Sequence, residues 1–450
     1  MGFSLPFRYN SPTFQVFLVG FICFCCPGMF NALTGMGGAG KSSTESVNNA
    51  QTALSVTFTV CSLLGAPIYN IFGHRVIIPA ALCYVLYVGS FLTDSDAFTI
   101  ATGAILGIGA GFLWTAQAGI MMSYPNESEK GKAFSIFWMI FNLGATIGAA
   151  IPLGNNWDNT TTSSVNIGTY IGLCKVVRSD GTQVSLHKFS NWKREAIEVL
   201  KLFMNWRMLI LIPMFAGSNW FYTYQFQVYN GGGYFNLRAR SLNNMLYWLF
   251  QIVGGGFFGW MLDLKALGGR RQRAIIGNTF VLVICVALWI GAIFIQKNFT
   301  YESAKLLPIP DKVDVYSPGY AGMAVEYAFF GFMDSVYQGF IYWLMGTMTN
   351  DTERAARYGG FYKTIQNAFA AVAAQLDAQH IPFMTQLIIV FVVNVVGILL
   401  AYVVCFTVPN VTVEEIDNLQ GVEGAETVVG GRLEDEALPH KLDLNEKEFM

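Results

Sequence analysis

Eleven long apolar stretches constrain this chain more than any other feature of its sequence. A bilayer core is about 30 Å thick, and a helix of about twenty apolar residues crosses it. Only 12% of the residues are charged, against about 25% in soluble domains, so we expect an all-α polytopic membrane protein. The predicted spans are Phe14–Leu33, Ala50–Phe72, Val76–Leu92, Phe98–Met122, Ala133–Leu153, Met208–Val228, Leu242–Leu262, Ala274–Ile295, Tyr320–Met348, Tyr358–Leu376 and Phe383–Val408.

The fourth span, in the segment Thr102–Glu129, carries a stripe of small residues at every fourth position. Small residues at this spacing let a second helix approach to backbone contact in a membrane. The stripe consists of Gly103, Gly107, Gly111, Thr115 and Gly119. Trp114 and Gln117 share another face, and a glutamine in hydrocarbon needs partners, so we expect that face to look into a bundle or a cavity.

The chain repeats itself, which predicts two homologous membrane halves. Asn126-Glu-Ser-Glu-Lys130 recurs 224 positions later as Asn350-Asp-Thr-Glu-Arg354, and aromatic residues follow both copies. Parallel repeats of this kind are typical of transporters. We predict an N-terminal half over residues 1–174, a basic linker over 175–207, a C-terminal half over 208–409 and an acidic, disordered tail over 410–450.

Lysine and arginine in the short loops predict the orientation of these halves. Lys130 and Lys132, the linker, Arg270–Arg273 and Arg354 with Arg357 all fall on one side, which the positive-inside rule assigns to the cytoplasm together with both termini. Sequons at Asn159 and Asn298 then lie outside, and we predict glycosylation there. The sequence does not distinguish the plasma membrane from an internal one.

One crossing is missing from this count. Two six-span halves need twelve crossings, and the alternation of basic loops requires one between Asn159 and Lys175. The ten residues of Val165–Cys174 rise only about 15 Å as a helix, half of the hydrocarbon thickness. We therefore hypothesise that the sixth span is truncated by about twenty apolar residues, through a gene-model error, a splicing error or a real deletion.

Two short loops occupy equivalent places in the two halves, and both resemble the major facilitator signature G-x-L-x-D-R-x-G-R-R. The resemblance implies that an acid in the loop latches the ends of neighbouring helices. In the second half Asp263 provides the acid of this motif, whereas in the first half Asn70 stands at the same place. The alternative interpretation is that the basic residues of these loops only fix the membrane topology. The gating-loop candidates are Asn70, His74, Arg75, Asp263, Arg270 and Arg271.

Three further motifs allow a family to be suggested. Leu113–Gln117 (LWTAQ), Tyr124-Pro125 and Asn219–Phe226 (NWFYTYQF) resemble the Unc-ninety-three-like branch of the major facilitator superfamily. The resemblance covers roughly residues 12–408 and implies a two-half helix bundle. Some members of that branch are described as ion-channel regulators or trafficking partners, and many are presumed to be transporters.

Ionisable residues within spans are the best pointers to a site. Glu326 and Asp334 lie in one span, with Tyr337 on nearly the same face as Glu326, and either carboxylate is a candidate for binding a cation, a proton or a polar solute. The alternative role is a structural hydrogen bond to a neighbouring helix. We expect Lys363, in the next span, to extend toward the cytoplasm and not to pair with Asp334.

Amides and aromatic rings complete the candidate substrate path, which comprises Trp114, Gln117, Tyr224, Gln225, Glu326, Asp334 and Tyr337. Aromatic residues also anchor helices at membrane interfaces, which is the alternative role for these rings. The leading function is secondary transport of a small solute or ion, with a proton as one candidate coupling ion. The alternative is a non-transporting regulatory subunit of a membrane channel or receptor.

We expect no enzymatic activity, cofactor, metal or nucleic-acid partner, and membrane lipid as the surroundings of the bundle. The segment Gly35–Ser42 matches the phosphate-binding pattern G-x-x-x-x-G-K-[ST]. That motif needs a preceding strand, whereas a predicted membrane helix precedes it here. We therefore interpret it as a glycine-rich loop between two spans.

Overall fold

The described part of the chain is a bundle of helices. A computed structural model describes residues 11–35, 44–90, 95–125, 129–155, 192–308, 311–349 and 351–409. Within these residues the one extended pairing is an isolated bridge between Phe235 and Val313. The predicted all-α class is confirmed.

Helices occupy all five span positions predicted before the linker. The first is interrupted by a π-helical turn, Phe24–Gly28, at Pro27, which has no N–H to continue an α-helical ladder. The helices of this part are α1 (Pro12–Cys23), α2 (Met29–Thr34), α3 (Thr44–Phe72), α4 (Ile77–Ser90), α5 (Asp96–Ser123) and α6 (Lys130–Asn155).

Helices also occupy the six span positions predicted after residue 207. The span at 206–230 begins as two α-helical segments and ends in a π-helical segment, Thr223–Asn230. The remaining helices are α7 (Trp192–Lys201), α8 (Trp206–Ile210), α9 (Ile212–Tyr222), α10 (Leu237–Asp263), α11 (Arg270–Gln296), α12 (Tyr301–Leu306), α13 (Tyr320–Gly346), α14 (Thr352–Ala378) and α15 (Phe383–Cys405).

Seven of the described helical segments are long and apolar enough to cross a membrane, or up to eight if the bent pair Ile197–Met204 and Trp206–Asn230 is one span. Helices α13 and α14 are not among the seven. Both have buried faces rich in polar groups, among them Asp334 and Lys363, which are 0% and 4% exposed. The polar character that lowers their hydropathy is therefore turned inward.

The predicted small-residue stripe on α5 packs directly against α3. A Cβ added at Gly103 would lie 2.8 Å from the Ala50 carbonyl oxygen, and one at Gly111 would lie 2.9 Å from the backbone carbon of Cys61. Between these points, the Thr57 hydroxyl of α3 donates to the Ala104 carbonyl at 2.8 Å. The expectation that the stripe admits a helix to backbone contact is confirmed.

The N-terminal and C-terminal helices meet along two further close crossings. Helix α6 crosses α10 where Ser135 Oγ donates to the Gly255 carbonyl at 2.9 Å, and a Cβ added at Gly259 would overlap the Gly131 carbonyl oxygen. Helix α14 crosses α5, where a Cβ added at Gly359 would overlap Ala118. These crossings hold the two sets of helices on either side of a central space.

Several predictions lie outside the described residues. They are the truncated sixth span and Asn159 within residues 156–191, most of the glycine-rich loop within residues 36–43, and the acidic tail from residue 410. The boundaries of the predicted halves likewise stay predictions.

Candidate functional site

A cavity of about 150 Å³ lies between the N-terminal and C-terminal helices. Both sides contribute to its wall, which combines aromatic rings with amides. The N-terminal side supplies Phe30, Asn31, Gln51, Phe58, Tyr84, Trp114, Trp138 and Phe141, among others. The C-terminal side supplies Asn219, Tyr222, Phe226, Gln227, Trp248, Gln338, Lys363, Gln366, Asn367 and Ala370, among others.

Lys363 lies in this cavity wall and not at the edge of the bundle. Its side chain is 4% exposed, and its Nζ lies 4.5 Å from the ring centre of Trp114, 4.9 Å from that of Tyr362 and 5.7 Å from that of Tyr342. The expectation that this lysine extends toward the cytoplasm is wrong. The physical reason is that ring faces and an amide oxygen attract the ammonium where the bundle interior lacks bulk water.

Asp334 lies directly behind the cavity wall and is fully buried. Its Oδ2 accepts hydrogen bonds from the Tyr222 hydroxyl at 2.8 Å, the Tyr247 hydroxyl at 3.1 Å and Gln251 Nε2. Its Oδ1 accepts from Gln338 Nε2 at 2.7 Å. The Tyr247 hydroxyl has a single proton and also lies 2.9 Å from Gln225 Oε1, so Asp334 has three donors of its own and shares a fourth. Both carboxylate oxygens are therefore hydrogen-bonded inside the protein.

A chain of two amides joins the buried lysine to the buried aspartate. Lys363 Nζ donates to Gln366 Oε1 at 2.8 Å, and Gln366 Nε2 donates to Gln338 Oε1 at 3.2 Å. Gln338 in turn donates to Asp334, so each amide accepts on the lysine side and donates on the aspartate side. The expectation that Lys363 and Asp334 do not pair directly is consistent with this arrangement, which couples them through side-chain amides.

Three of the predicted path residues lie around this centre. Trp114 lines the cavity itself. Gln117, one turn farther along α5, accepts from the Tyr342 hydroxyl at 3.2 Å, and its Nε2 has no hydrogen-bond partner among the described residues. Tyr337 is fully buried and donates to the Met214 carbonyl at 3.1 Å, so its hydroxyl bonds to α9.

The other three lie away from the cavity wall. Tyr224 donates to Gln296 at 2.8 Å, toward the end of α11. Gln225 Oε1 lies 2.9 Å from the Tyr247 hydroxyl, whose single proton it shares with Asp334. Glu326 packs between α13 and α11, where a Cβ added at Gly291 would lie 2.8 Å from both carboxylate oxygens. The Glu326 Oε1 atom has no hydrogen-bond partner among the described residues. A role for these three in a substrate path stays a prediction.

The two sets of helices contact each other at one end of the cavity through amide side chains, and we call this the Asn244 end. Asn244 Nδ2 donates to the Ala32 carbonyl at 2.9 Å, and Asn230 Nδ2 donates to the Gly35 carbonyl at 3.1 Å. Nearby, Gln375 donates to the Thr52 hydroxyl at 2.9 Å. All three are neutral hydrogen bonds between groups on opposite sides of the cavity.

The opposite end is closed by charged groups, and we call it the Asp263 end. The Asp263 carboxylate accepts from the backbone N–H groups of Gly131 at 3.1 Å and Lys132 at 2.6 Å, in the first turn of α6. Lys130 donates to the carbonyls of Gly346 and Thr349 at the end of α13. An acid therefore faces a helix N-terminus and a base faces a helix C-terminus, as the helix dipoles favour.

The first-half loop is arranged differently. Asn70 is buried at 9% exposure and Arg75 is exposed, while the side chain of His74 lies outside the described residues. The N-terminus of α14 is capped within its own half, since Asp351 accepts from the N–H groups of Glu353 and Arg354. The acid of the first-half motif is therefore not needed to cap that helix.

The two arginines of the second-half loop also differ. Arg271 donates from Nε to the Val408 carbonyl at 3.3 Å, just beyond α15. Arg270, the first residue of α11, is partly exposed. The gating role of the six loop residues stays a prediction, although the structure places Asp263 against the opposite half.

Sequence reasoning missed the amides and phenols that surround the buried charges. Gln338 is four residues after Asp334 and Gln366 is three after Lys363, so each pair shares a helix face. That spacing is a usable signal for both amides. No spacing signal links Tyr222 or Gln251 to Asp334, because these residues come from different helices.

Residues 48–403 match the family model described as ion channel regulatory protein UNC-93. UNC93-like protein 1 of Arabidopsis thaliana is 41% identical over 429 residues, which cover 90% of this chain and 92% of that protein. An UNC93-like protein of Schizosaccharomyces pombe is 37% identical and covers 84% of this chain and 78% of its own length.

Among solved structures, the human organic anion transporter MFSD10 matches with a TM-score of 0.57. The match covers 89% of this chain and all of the MFSD10 chain, at 12% sequence identity. At that identity the likeness concerns the fold alone, and it bears out the predicted major-facilitator-like bundle.

Proposed function

This chain belongs to the UNC-93 family of ion channel regulatory proteins, and we propose that it transports a small solute across a membrane through the cavity between its two sets of helices. The cavity carries the proposal: both sides of the bundle line it, it has aromatic and amide groups, and it contains a buried charge. A concave site that combines aromatic rings with convergent polar groups is the usual form of a solute site.

Contacts at both ends of the cavity support an alternating-access mechanism. Hydrogen bonds join the two sides at the Asn244 end and at the Asp263 end, so the described residues of both ends hold the two sides together. Opening one set of bonds while the other holds would expose the cavity to one side at a time. Rocking of two helical halves about a midplane site is the general mechanism of such folds.

We propose that the Asp263 end faces the cytoplasm. The structure brings basic residues of separate loops, Lys132, Arg271 and Arg354 among them, to this end of the bundle, as the positive-inside rule requires. Asn298 follows the opposite end of α11 and is exposed, in keeping with the predicted outer sequon. Glycosylation there remains part of the proposal.

A second candidate function follows from the description of the family model, which names an ion channel regulator. In that case the chain binds a membrane channel or receptor through its lipid-facing side chains, and the cavity carries no solute. The two candidate functions differ in what a side chain that fills the cavity would do: it would stop transport, but it would leave a channel regulator active.

The test is a matched pair of tryptophan substitutions on α14. Ala370 lines the cavity, whereas Val372, two residues later on the same helix, is 46% exposed on the outer surface. In proteoliposomes loaded with a panel of labelled organic solutes, we expect flux from the wild type and from Val372→Trp, and loss of flux from Ala370→Trp. Flux from the wild type no greater than from empty liposomes, or undiminished flux from Ala370→Trp, would contradict transport through the cavity.

A further inference from the structure

Lys363 is the one charged side chain among the described residues that line the cavity. The nearest acid, Asp334, does not line the cavity. It lies behind Tyr222 and Gln338, which line the cavity and hydrogen-bond to its carboxylate. A solute in the cavity therefore meets a positive group directly and the compensating negative group only through a layer of phenol and amide. The cavity surface therefore carries a positive charge, although Lys363 and Asp334 together have opposite charges that cancel.

The two charged groups also differ in how many of their hydrogen-bonding positions are occupied by other described residues. Asp334 has three donors of its own, from Tyr222, Gln251 and Gln338, and shares the Tyr247 hydroxyl with Gln225, so both of its oxygens are hydrogen-bonded. The Lys363 ammonium has three N–H groups, and one of them donates to Gln366. Its two other N–H groups have no oxygen acceptor among the described residues and face ring surfaces and the cavity.

The rings around Lys363 hold the ammonium in place without neutralising it. Trp114 lies across the cavity from α14, and Tyr362 and Tyr342 flank the lysine on the C-terminal side. A cation over a ring face gains a modest attraction, weaker than a hydrogen bond to a carboxylate in the same surroundings. An oxyanion entering the cavity can thus take the two open N–H groups while the rings continue to orient the lysine.

From these observations we infer that the cavity binds a small organic anion, whose carboxylate or similar oxyanion docks on Lys363 and whose apolar or aromatic body packs on Trp138, Phe226 and Trp248. This inference rests on the proposed function for its physiological meaning, because it names the class of solute that the cavity carries. A cationic solute is disfavoured by the same geometry, since it would approach Lys363 without reaching the carboxylate of Asp334.

Binding of three molecules of matched shape to the purified full-length protein tests the inference without any transport step. Benzoate, benzamide and benzamidine share one ring and differ in charge. We expect benzoate to bind about ten-fold or more tightly than benzamide, the increment of a charge-assisted hydrogen bond, and benzamidine to bind no better than benzamide. Quenching of tryptophan fluorescence and thermal stabilisation both report binding, since Trp114, Trp138 and Trp248 line the cavity.

Two substitutions tie the preference to the lysine. Lys363→Gln removes the charge and is expected to bring benzoate to within about two-fold of benzamide, whereas Lys363→Arg keeps the charge and retains most of the preference. Lys201→Gln, on the exposed face of α7, serves as the matched control and leaves the preference unchanged. Size-exclusion profiles and melting temperatures of the variants establish that each is folded.

Equal affinity for benzoate and benzamide, tighter binding of benzamidine, no binding of any of the three, or an undiminished preference in folded Lys363→Gln would each overturn the inference. These outcomes are separable from failure of the proposed function. Selective benzoate binding without flux in proteoliposomes leaves an anion site in a protein that does not transport. Flux of neutral or cationic solutes with no preference for benzoate leaves a transporter with a different cargo.

Discussion

Removing the Asp263 carboxylate should destabilise the closed Asp263 end by an amount that the structure allows us to estimate. The carboxylate accepts two backbone N–H groups, from Gly131 and Lys132, in the first turn of α6. Hydrogen bonds to charged groups contribute about 1.5–3 kcal/mol each, and Asp263 is partly exposed, so we discount the sum to about 2 kcal/mol. A change of that size shifts the open-to-closed ratio about thirty-fold.

A cysteine at Gly346 reports this shift. Gly346 is buried beside Lys130, and a Cβ added there would lie 3.4 Å from Lys130 Cδ, an ordinary van der Waals contact. In a background without other cysteines, Asp263→Ala should raise the maleimide labelling rate of Gly346→Cys by about thirty-fold, because the thiol reacts when this end opens. Asp263→Asn keeps one acceptor oxygen, and its labelling rate should be intermediate.

Glu129 provides the matched control, because it is an acid at the same helix terminus whose ion pair among the described residues is with exposed Lys132, at 3.9 Å. Glu129→Ala should change the labelling rate less than about two-fold, as expected for an exposed ion pair. A labelling rate in Asp263→Ala no higher than in Glu129→Ala would refute the assignment of Asp263 as a latch between the two sides.

Two further predictions concern the close crossing of α6 with α10 and the buried carboxylate of Asp334. Gly259→Ala places a Cβ against Ser135 and should lower the free energy of unfolding by about 1–3 kcal/mol. Gly256→Ala should have a smaller effect, because its Cβ meets the flexible Met139 side chain, with the sulfur at 3.2 Å. Thermal melting in detergent compares the two variants, and equal melting temperatures would contradict the close crossing. Asp334→Asn should reduce solute flux about ten-fold or more, because donors face both carboxylate oxygens and the NH2 group of asparagine cannot accept from them. Glu326→Gln, outside the cavity, should retain the flux. The reverse ranking in proteoliposomes would contradict a role for Asp334 in transport.

The features that could be predicted from the sequence are those that depend on the residues of a single helix or on a motif repeated along the chain. Helices stand at every predicted span position within the described residues, because length and apolar composition are local properties. The stripe at Gly103, Gly107 and Gly111 identified a packing face before its partner α3 was known. The loop motif singled out Asp263, although not the helix whose N-terminus it binds.

The cavity could not be predicted in the same way, because its wall is assembled from many helices whose rotations depend on tertiary packing. The position of Lys363 was misjudged since a lysine near a span end usually extends to water, and no local pattern reveals that Trp114 and Tyr342 converge on it. The alternation of aromatic and amide residues in this span favours Tyr224 and Gln225, whereas the nearby Tyr222 and Phe226 line the cavity. Successive residues of an α-helix point about 100° apart, so a shift of one or two positions turns a side chain away from the cavity.

Two-sided labelling of one cavity residue tests the central claim most directly. Asn219 lines the cavity and is partly exposed within it, so a cysteine there, in a background lacking the native cysteines, is accessible only through an open end. Alternating access predicts that a membrane-impermeant maleimide labels Asn219→Cys when added from either side of the membrane, and that filling the cavity with Ala370→Trp slows both reactions. Labelling from one side alone, or from neither, would contradict a cavity that opens in turn to each side.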